Sequence, residues 1–349
     1  MIENTVIPQV GETYLLSHLV TPSQSGMRLD AFLKHKYRRR SRAKLKTVIE
    51  EGRIQLKRDP DSHLIPGRLK PSFQVQTGDE VLIYAVRKAE PEVCFDYKVL
   101  YEDEHLFVID KPPNLPVHPA GSYYFNTLLI HLKTDGHRKP LREEEDFFLP
   151  HRIDKETSGV LVIAKSIDIC NLVTTQFAER KTEKYYLAIV NGNPPDEFTV
   201  DWPIRKALRS RIGLKMEALT GDLGVPAGAL PADVWSAFTE FKKLKSIQKA
   251  DGREFSLVAC YPKTGRQHQI RVHLAAQGFP IVGDKLYSVT DSQAALIFDF
   301  RRITPEAEAR LILPRHALHA ASLKLTHPVT GERMEFEAAL PRDLADFFQ

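Results

Sequence analysis

Only three cysteines, Cys94, Cys170 and Cys260, occur in 349 residues, and they lie far apart. An odd, scattered set makes neither a disulfide framework nor a zinc spacing, and it fits a reducing compartment. No apolar run approaches the ~20 residues that cross a bilayer. The start, MIENTVIPQV, lacks the basic stretch and apolar run of a secretory signal. A soluble, cytoplasmic protein with no membrane partner is predicted. Neither G-x-x-x-x-G-K-[ST] nor G-x-G-x-x-G is present, which argues against nucleotide-driven chemistry. Ser158 lies in Thr-Ser-Gly, not in the G-x-S-x-G of a hydrolase elbow. His268 and His273 are five apart, the wrong spacing for a shared helical metal site, and His316 and His319 have no carboxylate or cysteine nearby in sequence. No metal and no cofactor is expected. Internal repeats and low-complexity segments are also missing.

What remains is an ordinary globular composition, 42% hydrophobic and 27% charged. The length suits two domains of roughly 100–200 residues each. Net charge is only +4, so an acidic partner is suggested by where the positive charge lies and not by its total.

Residues 1–26 carry little pattern and are predicted to be a lead-in, irregular or with a short strand. Helical periodicity then places Leu29, Phe32 and Leu33 on one face. A second helix follows Ser41, a suitable N-cap, with Leu45, Val48 and Ile49 on one side and Gly52 just past its end. On these helices lies the densest basic run in the chain: Lys34, Lys36, Arg38, Arg39, Arg40, Arg42, Lys44 and Lys46. Such a run is often only a solvated face. Interleaved with two helices that share apolar faces, it decorates a folded surface suited to phosphate backbone. Ile54–Leu56 and Val81–Tyr84 read as strands.

The order Arg28-Leu29-Asp30-x-Phe32-Leu33, Ser41-Arg42-x-x-Leu45-x-x-x-Ile49-x-x-Gly52-x-Ile54 and Gly78-Asp79-x-Val81 resembles the S4 RNA-binding domain. An S4-like domain over 27–90 is therefore expected, with Lys34, Arg38, Arg39, Arg40, Arg42, Lys44 and Lys46 as RNA contacts. The family's short turn after Leu56 is replaced by Lys57-Arg58-Asp59-Pro60-Asp61-Ser62-His63. A polar linker, 87–98, leads to a second block over 95–349.

That block is organised around Pro150–Ser166, PHRIDKETSGVLVIAKS. Gly159–Ala164 is a buried-strand pattern, preceded by a polar cluster from His151 to Ser158. The cluster is either a charged turn closing the strand or a reactive loop held rigidly at its end. Helical periodicity after Ser166, strands at Lys184–Val190 and Phe255–Cys260, and a C-terminal hairpin from Leu323 to Phe336 follow. Residues 133–148 read as a surface excursion. Residues 203–232, with Arg205, Lys206, Arg209, Arg211 and Lys215 among glycines and prolines, read as a mobile loop and a second phosphate contact or solvated face.

Three patches in order, His151-Arg152-Ile153-Asp154-Lys155-Glu156-Thr157-Ser158-Gly159, Lys184-x-Tyr186-x-Ala188 and Thr264-Gly265-Arg266-Gln267-His268-Gln269-Ile270-Arg271-Val272-His273, resemble the RluA-type pseudouridine synthases. Ile153 stands where Leu is usual and Gln267 where Thr is frequent. Asp110-Lys111-Pro112 and Pro280-Ile281-Val282-Gly283-Asp284 are also similar. The resemblance covers about residues 95–345. It implies an α+β fold, a large mixed, mostly antiparallel sheet with a central cleft, beside the small αβ domain.

It also implies isomerisation of uridine in structured RNA without a cofactor, with large-subunit ribosomal RNA as the expected target and transfer RNA as the alternative. The family's catalytic role falls on Asp154, as nucleophile or base. Arg271 is its cation and Tyr186 the aromatic that stacks on the base. His151, Arg152 and Arg266 are expected at the RNA, the first two where the flipped nucleotide leaves a gap. A monomer is expected. The competing reading is a catalytically silent RNA- or ribosome-binding protein.

Overall fold

The structure is a computed structural model that describes residues 7–37, 40–58, 63–134, 146–221 and 230–348. The chain divides into two compact units, Met1–Pro91 and Glu92–Gln349.

In the first unit, α1 (Leu29–Lys36) and α2 (Arg42–Glu50) bury Leu29, Phe32, Leu33, Leu45 and Ile49. These pack with Ile54, Leu56, Val81 and Ile83 of a three-stranded antiparallel sheet, β1 (Thr13–Leu19), β2 (Ile54–Lys57) and β3 (Glu80–Val86), in the order β1-β3-β2. The Ser41 hydroxyl caps α2 by accepting the Lys44 N–H at 3.3 Å. Strand β1 lies inside the segment expected to be a lead-in, and it pairs along the whole of β3, Thr13 opposite Val86 through Leu19 opposite Glu80. Its middle residues are all half-buried, so no alternation marks it in the sequence.

The second unit is built on one nine-stranded sheet. Its strands are β4 (Lys98–Glu102), β5 (Leu106–Lys111), β6 (Ser158–Ala164), β7 (Glu183–Asn191), β8 (Glu197–Val200), β12 (Thr239–Gln248), β13 (Glu254–Pro262), β14 (Leu318–Thr326) and β15 (Arg333–Glu337). The order is β4-β5-β6-β14-β7-β13-β12-β8, with β15 on β14. The β6–β14 pair is parallel and the other pairs are antiparallel. This is a large mixed, mostly antiparallel sheet, and β6 is buried along its full length. Helices α3 (Leu128–Thr134) and α4 (Ile167–Ala178) flank the β5–β6 side. Helix α5 (Gln269–Ala276) packs Ile270 and Leu274 on the β7–β13 side. Helices α6 (Asp291–Phe300), α7 (Pro305–Leu311) and α8 (Arg342–Ala345) follow.

Of the stretch expected to be a mobile loop at 203–232, residues 222–229 lie outside the described residues, and the described part contains strands. Three short strands, β9 (Ile204–Lys206), β10 (Met216–Ala218) and β11 (Val234–Trp235), form a separate sheet in the order β10-β9-β11. Ile204 and Met216 are buried there against Val272 of α5. The apolar anchors are single residues among basic ones, which hides the strands from a periodicity reading. Of the expected excursion at 133–148, residues 135–145 lie outside the described residues.

Gly159 decides how β6 meets β14. Its φ is +110°, and a Cβ there would stand 2.1 Å from the Ala320 carbonyl oxygen. Only glycine permits that close approach, and it brings the end of the Pro150–Thr157 loop against the centre of the sheet.

Candidate active site

The loop before β6 presents Asp154 at the sheet's centre. Its backbone is turned by Thr157 N–H donating to the Asp154 carbonyl at 3.1 Å. From beneath, Lys111 fixes the same loop. Its fully buried ammonium donates to the carbonyls of Pro112, Leu115 and Lys155 at 2.7, 3.1 and 3.1 Å. Burial drives that ammonium down to about 7.

Facing Asp154 is Arg271, carried by α5 and buried. Nη1 donates to Asp154 Oδ2 at 2.7 Å. Nε and Nη2 grip the two oxygens of Asp284 at 2.7 and 2.8 Å, a bidentate pair. Asp284 is fully buried, and its Oδ1 also accepts the backbone N–H groups of Leu286 and Tyr287. Burial alone would raise the Asp154 carboxyl. The positive ends of His268, Arg271 and His316 outweigh it and hold the group well below the usual carboxylate range. Both histidines are themselves pushed down to about 4 by burial, so the guanidinium carries this effect at neutral pH.

Tyr186, in the middle of β7, faces the same cavity. Among the described residues its hydroxyl has no hydrogen-bond partner. Burial, with Asp154 nearby, pushes its phenol well above the ordinary value. Tyr185 is turned to the other face, stacked on Tyr261 with ring centres 5.3 Å apart. The cavity is thus floored by an aromatic ring and walled by Asp154 and Arg271, with Arg152, Lys184 and Arg266 also lining it. A flat base fits over such a ring, with its edge toward the carboxylate.

The RNA pseudouridylate synthase family matches residues 105–276. The ribosomal large subunit pseudouridine synthase D of Pseudomonas aeruginosa is 32% identical over 326 residues, spanning 91% of this chain and 90% of its own. This chain belongs to the RNA pseudouridine synthases. The ribosomal large subunit pseudouridine synthase C of Escherichia coli strain K12 is 32% identical over 338 residues, covering 93% of each chain. Among solved structures, human RNA pseudouridylate synthase domain containing 4 superposes with a TM-score of 0.50 at 30% identity, over 71% of this chain and 90% of that one. As a pseudouridine synthase the protein is an isomerase: the uridine N1–C1′ bond breaks, a C5–C1′ bond forms, the C5 proton leaves and N1 takes one up.

Of the residues expected at the site, Asp154, Tyr186, Arg271, Arg152 and Arg266 line one cavity. Arg152 is exposed at its rim, with Nη1 3.2 Å from Nε2 of His118. Arg266 is held by Nε donating to the Ser236 carbonyl at 3.0 Å. His151 is elsewhere. Its ring stacks on Phe177 of α4 at 4.7 Å, and Nε2 accepts the Val162 N–H at 2.9 Å. Burial pushes it down to about 3, so it braces the loop as a neutral ring and is not among the residues that line the cavity. A histidine next to an exposed arginine in sequence does not reveal which of the two turns inward. His273, His316 and His319 are all buried and hydrogen-bonded, to Thr239, Thr157 and Ser158 respectively.

In the first unit, Arg40, Arg42, Lys44 and Lys46 are exposed on or beside α2, and Lys34 donates to the Arg40 carbonyl at 2.8 Å. Arg38 and Arg39 lie outside the described residues. Sequence reasoning missed three site residues. In the sequence Asp284, Lys111 and His268 stand only as members of family-like strings, His268 also as a histidine at the wrong spacing for a metal, and none carries a stated role. A lone aspartate after Gly283 and a lysine at a strand end carry no local sign of the long-range partners that give them meaning.

Proposed function

We propose that this synthase modifies uridines in large-subunit ribosomal RNA, with Asp154 as the reacting carboxylate. The observation that carries the chemistry is the single contact between the half-buried Asp154 and the buried Arg271, beside Tyr186. A carboxylate kept ionised out of bulk water is poised as nucleophile or base. Tyr186 stacks on the flipped uracil, and its unengaged hydroxyl is available for proton transfer. Arg271 keeps Asp154 charged and aimed. Arg152, at the rim, meets the flanking phosphates or the gap left by the flipped nucleotide, and Arg266 adds a second cation.

The target class is supported by the two bacterial relatives, both named as acting on the large ribosomal subunit. Two helices on a small sheet, with Arg40, Arg42, Lys44 and Lys46 outward, support an S4-like module over 27–90 that holds RNA backbone. Among the described residues no helix is long and apolar enough to cross a membrane. We take the protein to act as a monomer in the cytoplasm, a location in keeping with its bacterial relatives named for the large ribosomal subunit. The test is to incubate it with large-subunit ribosomal RNA and, separately, with transfer RNA, and to map pseudouridine in both. Product in ribosomal RNA alone is expected. Product confined to transfer RNA would overturn the assigned target.

A further inference from the structure

One wall of the cavity holds a group to which the reaction scheme above gives no role. His268, the residue before α5, sits at φ +57°, a backbone region that side-chain-bearing residues seldom occupy. The strain sets its ring between two groups. Nδ1 is 2.9 Å from the Tyr287 hydroxyl, and Nε2 is 3.9 Å from Asp154 Oδ2.

The Tyr287 oxygen decides where the imidazole proton is. It accepts the Met216 N–H at 3.0 Å, and its other hydrogen-bond partner among the described residues is His268 Nδ1. The phenol proton has no other acceptor among the described residues, so the arrangement that satisfies it has Tyr287 donating to a bare Nδ1. In a neutral ring the proton then lies on Nε2. Burial, reinforced by Arg271, keeps the ring neutral by holding it down to about 4. At 3.9 Å the Nε2–H is too far from Asp154 to be satisfied by it, and it lines the cavity.

We propose that His268 Nε2–H is a fixed hydrogen-bond donor to a carbonyl oxygen of the reacting uracil, and that Tyr287 is the positioning residue that sets its tautomer. The inference rests on Asp154 being the reacting carboxylate. When N1–C1′ breaks, its electron pair leaves with the uracil and spreads onto the ring carbonyl oxygens. Arg271 spends three of its five N–H groups on two carboxylates, and His268 Nε2–H, with no hydrogen-bond partner among the described residues, is a separate donor placed on the cavity wall to meet that charge. A neutral N–H strengthens its bond as the oxygen gains charge, yet adds no cation that would compete with Arg271 for Asp154 or prevent the base from turning to present C5. Set at O4, the same donor accepts uracil and rejects cytosine, whose exocyclic amine offers a hydrogen at that position; the O2 carbonyl is common to both bases.

The test combines ring-nitrogen NMR of histidine-labelled full-length protein with single-turnover kinetics of His268→Ala, His268→Gln, Tyr287→Phe and Asp154→Asn on uridine RNA. In the wild type, Nε2 should carry the proton and Nδ1 should not. His268→Ala should lose roughly 10²–10³-fold in rate with RNA affinity unchanged, and the amide of His268→Gln should restore part of it. Tyr287→Phe should mix the tautomers and lower the rate without altering affinity. A wild-type ring protonated on Nδ1, or His268→Ala within about threefold of wild type, would overturn the proposal. So would a Gln variant no better than Ala, which would mark the ring as structural. If Tyr287→Phe does not fold, the wild-type tautomer and the His268 pair still decide. An active Asp154→Asn protein would instead remove the reading beneath, independently of the tautomer.

Discussion

Arg271 reaches Asp154 with one nitrogen, Nη1 at 2.7 Å, because Nε and Nη2 are taken by Asp284. The buried partner orients the guanidinium, and the cavity partner is left with its second oxygen unclaimed by that arginine. Replacing Asp284 by Asn should therefore act twice. Breaking a buried charged pair costs about 3–5 kcal/mol of stability, and the loosened guanidinium should lower the isomerisation rate with RNA affinity kept. Urea unfolding beside single-turnover assays would show both. An unaltered unfolding midpoint would contradict the role assigned to Asp284.

Arg271→Lys keeps the charge but cannot hold Asp284 in two contacts and Asp154 in a third. Activity should fall by about 10²-fold or more while the protein still binds RNA. Wild-type rates in the lysine variant would show that charge alone suffices.

Acid should destabilise the fold well before the carboxylates titrate. Burial holds His268, His273 and His316 down to about 4 and His151 to about 3, against about 6.5 in an unfolded chain. Below that value the unfolded state binds more protons, so stability present above pH ~6.5 is lost as pH falls toward ~4, at up to about 1.4 kcal/mol per unit for each histidine. Asp284, lowered to about 2 by the Arg271 charge against the opposing effect of burial, adds a second loss below pH ~4. Chemical denaturation between pH 4 and pH 7 measures the first slope. A flat profile would contradict the buried neutral histidines.

Much of this arrangement could be read before the fold was known. The Ser41 cap, the strand at Gly159–Ala164 and the cavity trio Asp154, Tyr186 and Arg271 each have a local pattern or a motif. What could not be read depends on distant partners. β1 shows no alternation because its middle residues are evenly half-buried, and β12, with Lys242, Lys243, Lys245 and Lys249 in and just after it, looks like a solvated stretch until β8 and β13 enclose it. His151 and His268 exchange the parts their neighbours suggest, the first packing half-buried against Phe177 of α4 and the second turning into the cavity. Side-chain direction in irregular segments is set by packing, not by spacing.

The N-terminal basic face makes a separate prediction. Changing Arg42, Lys44 and Lys46 together to Gln should weaken RNA binding and reduce the slope of log affinity against log salt by about 3. Filter binding across a salt series measures it. An unchanged slope would make that surface a solubilising face only.

The most direct measurement is pseudouridine formation by Asp154→Asn. The amide keeps the shape and can still meet Arg271 through its oxygen, but it has neither the charge nor the nucleophilicity of a carboxylate. Mapped on large-subunit ribosomal RNA beside the wild type, with folding checked by circular dichroism, the variant should bind RNA and form no pseudouridine. A folded Asp154→Asn protein that modifies the same uridines at the wild-type rate would contradict the assignment of the reaction to this carboxylate.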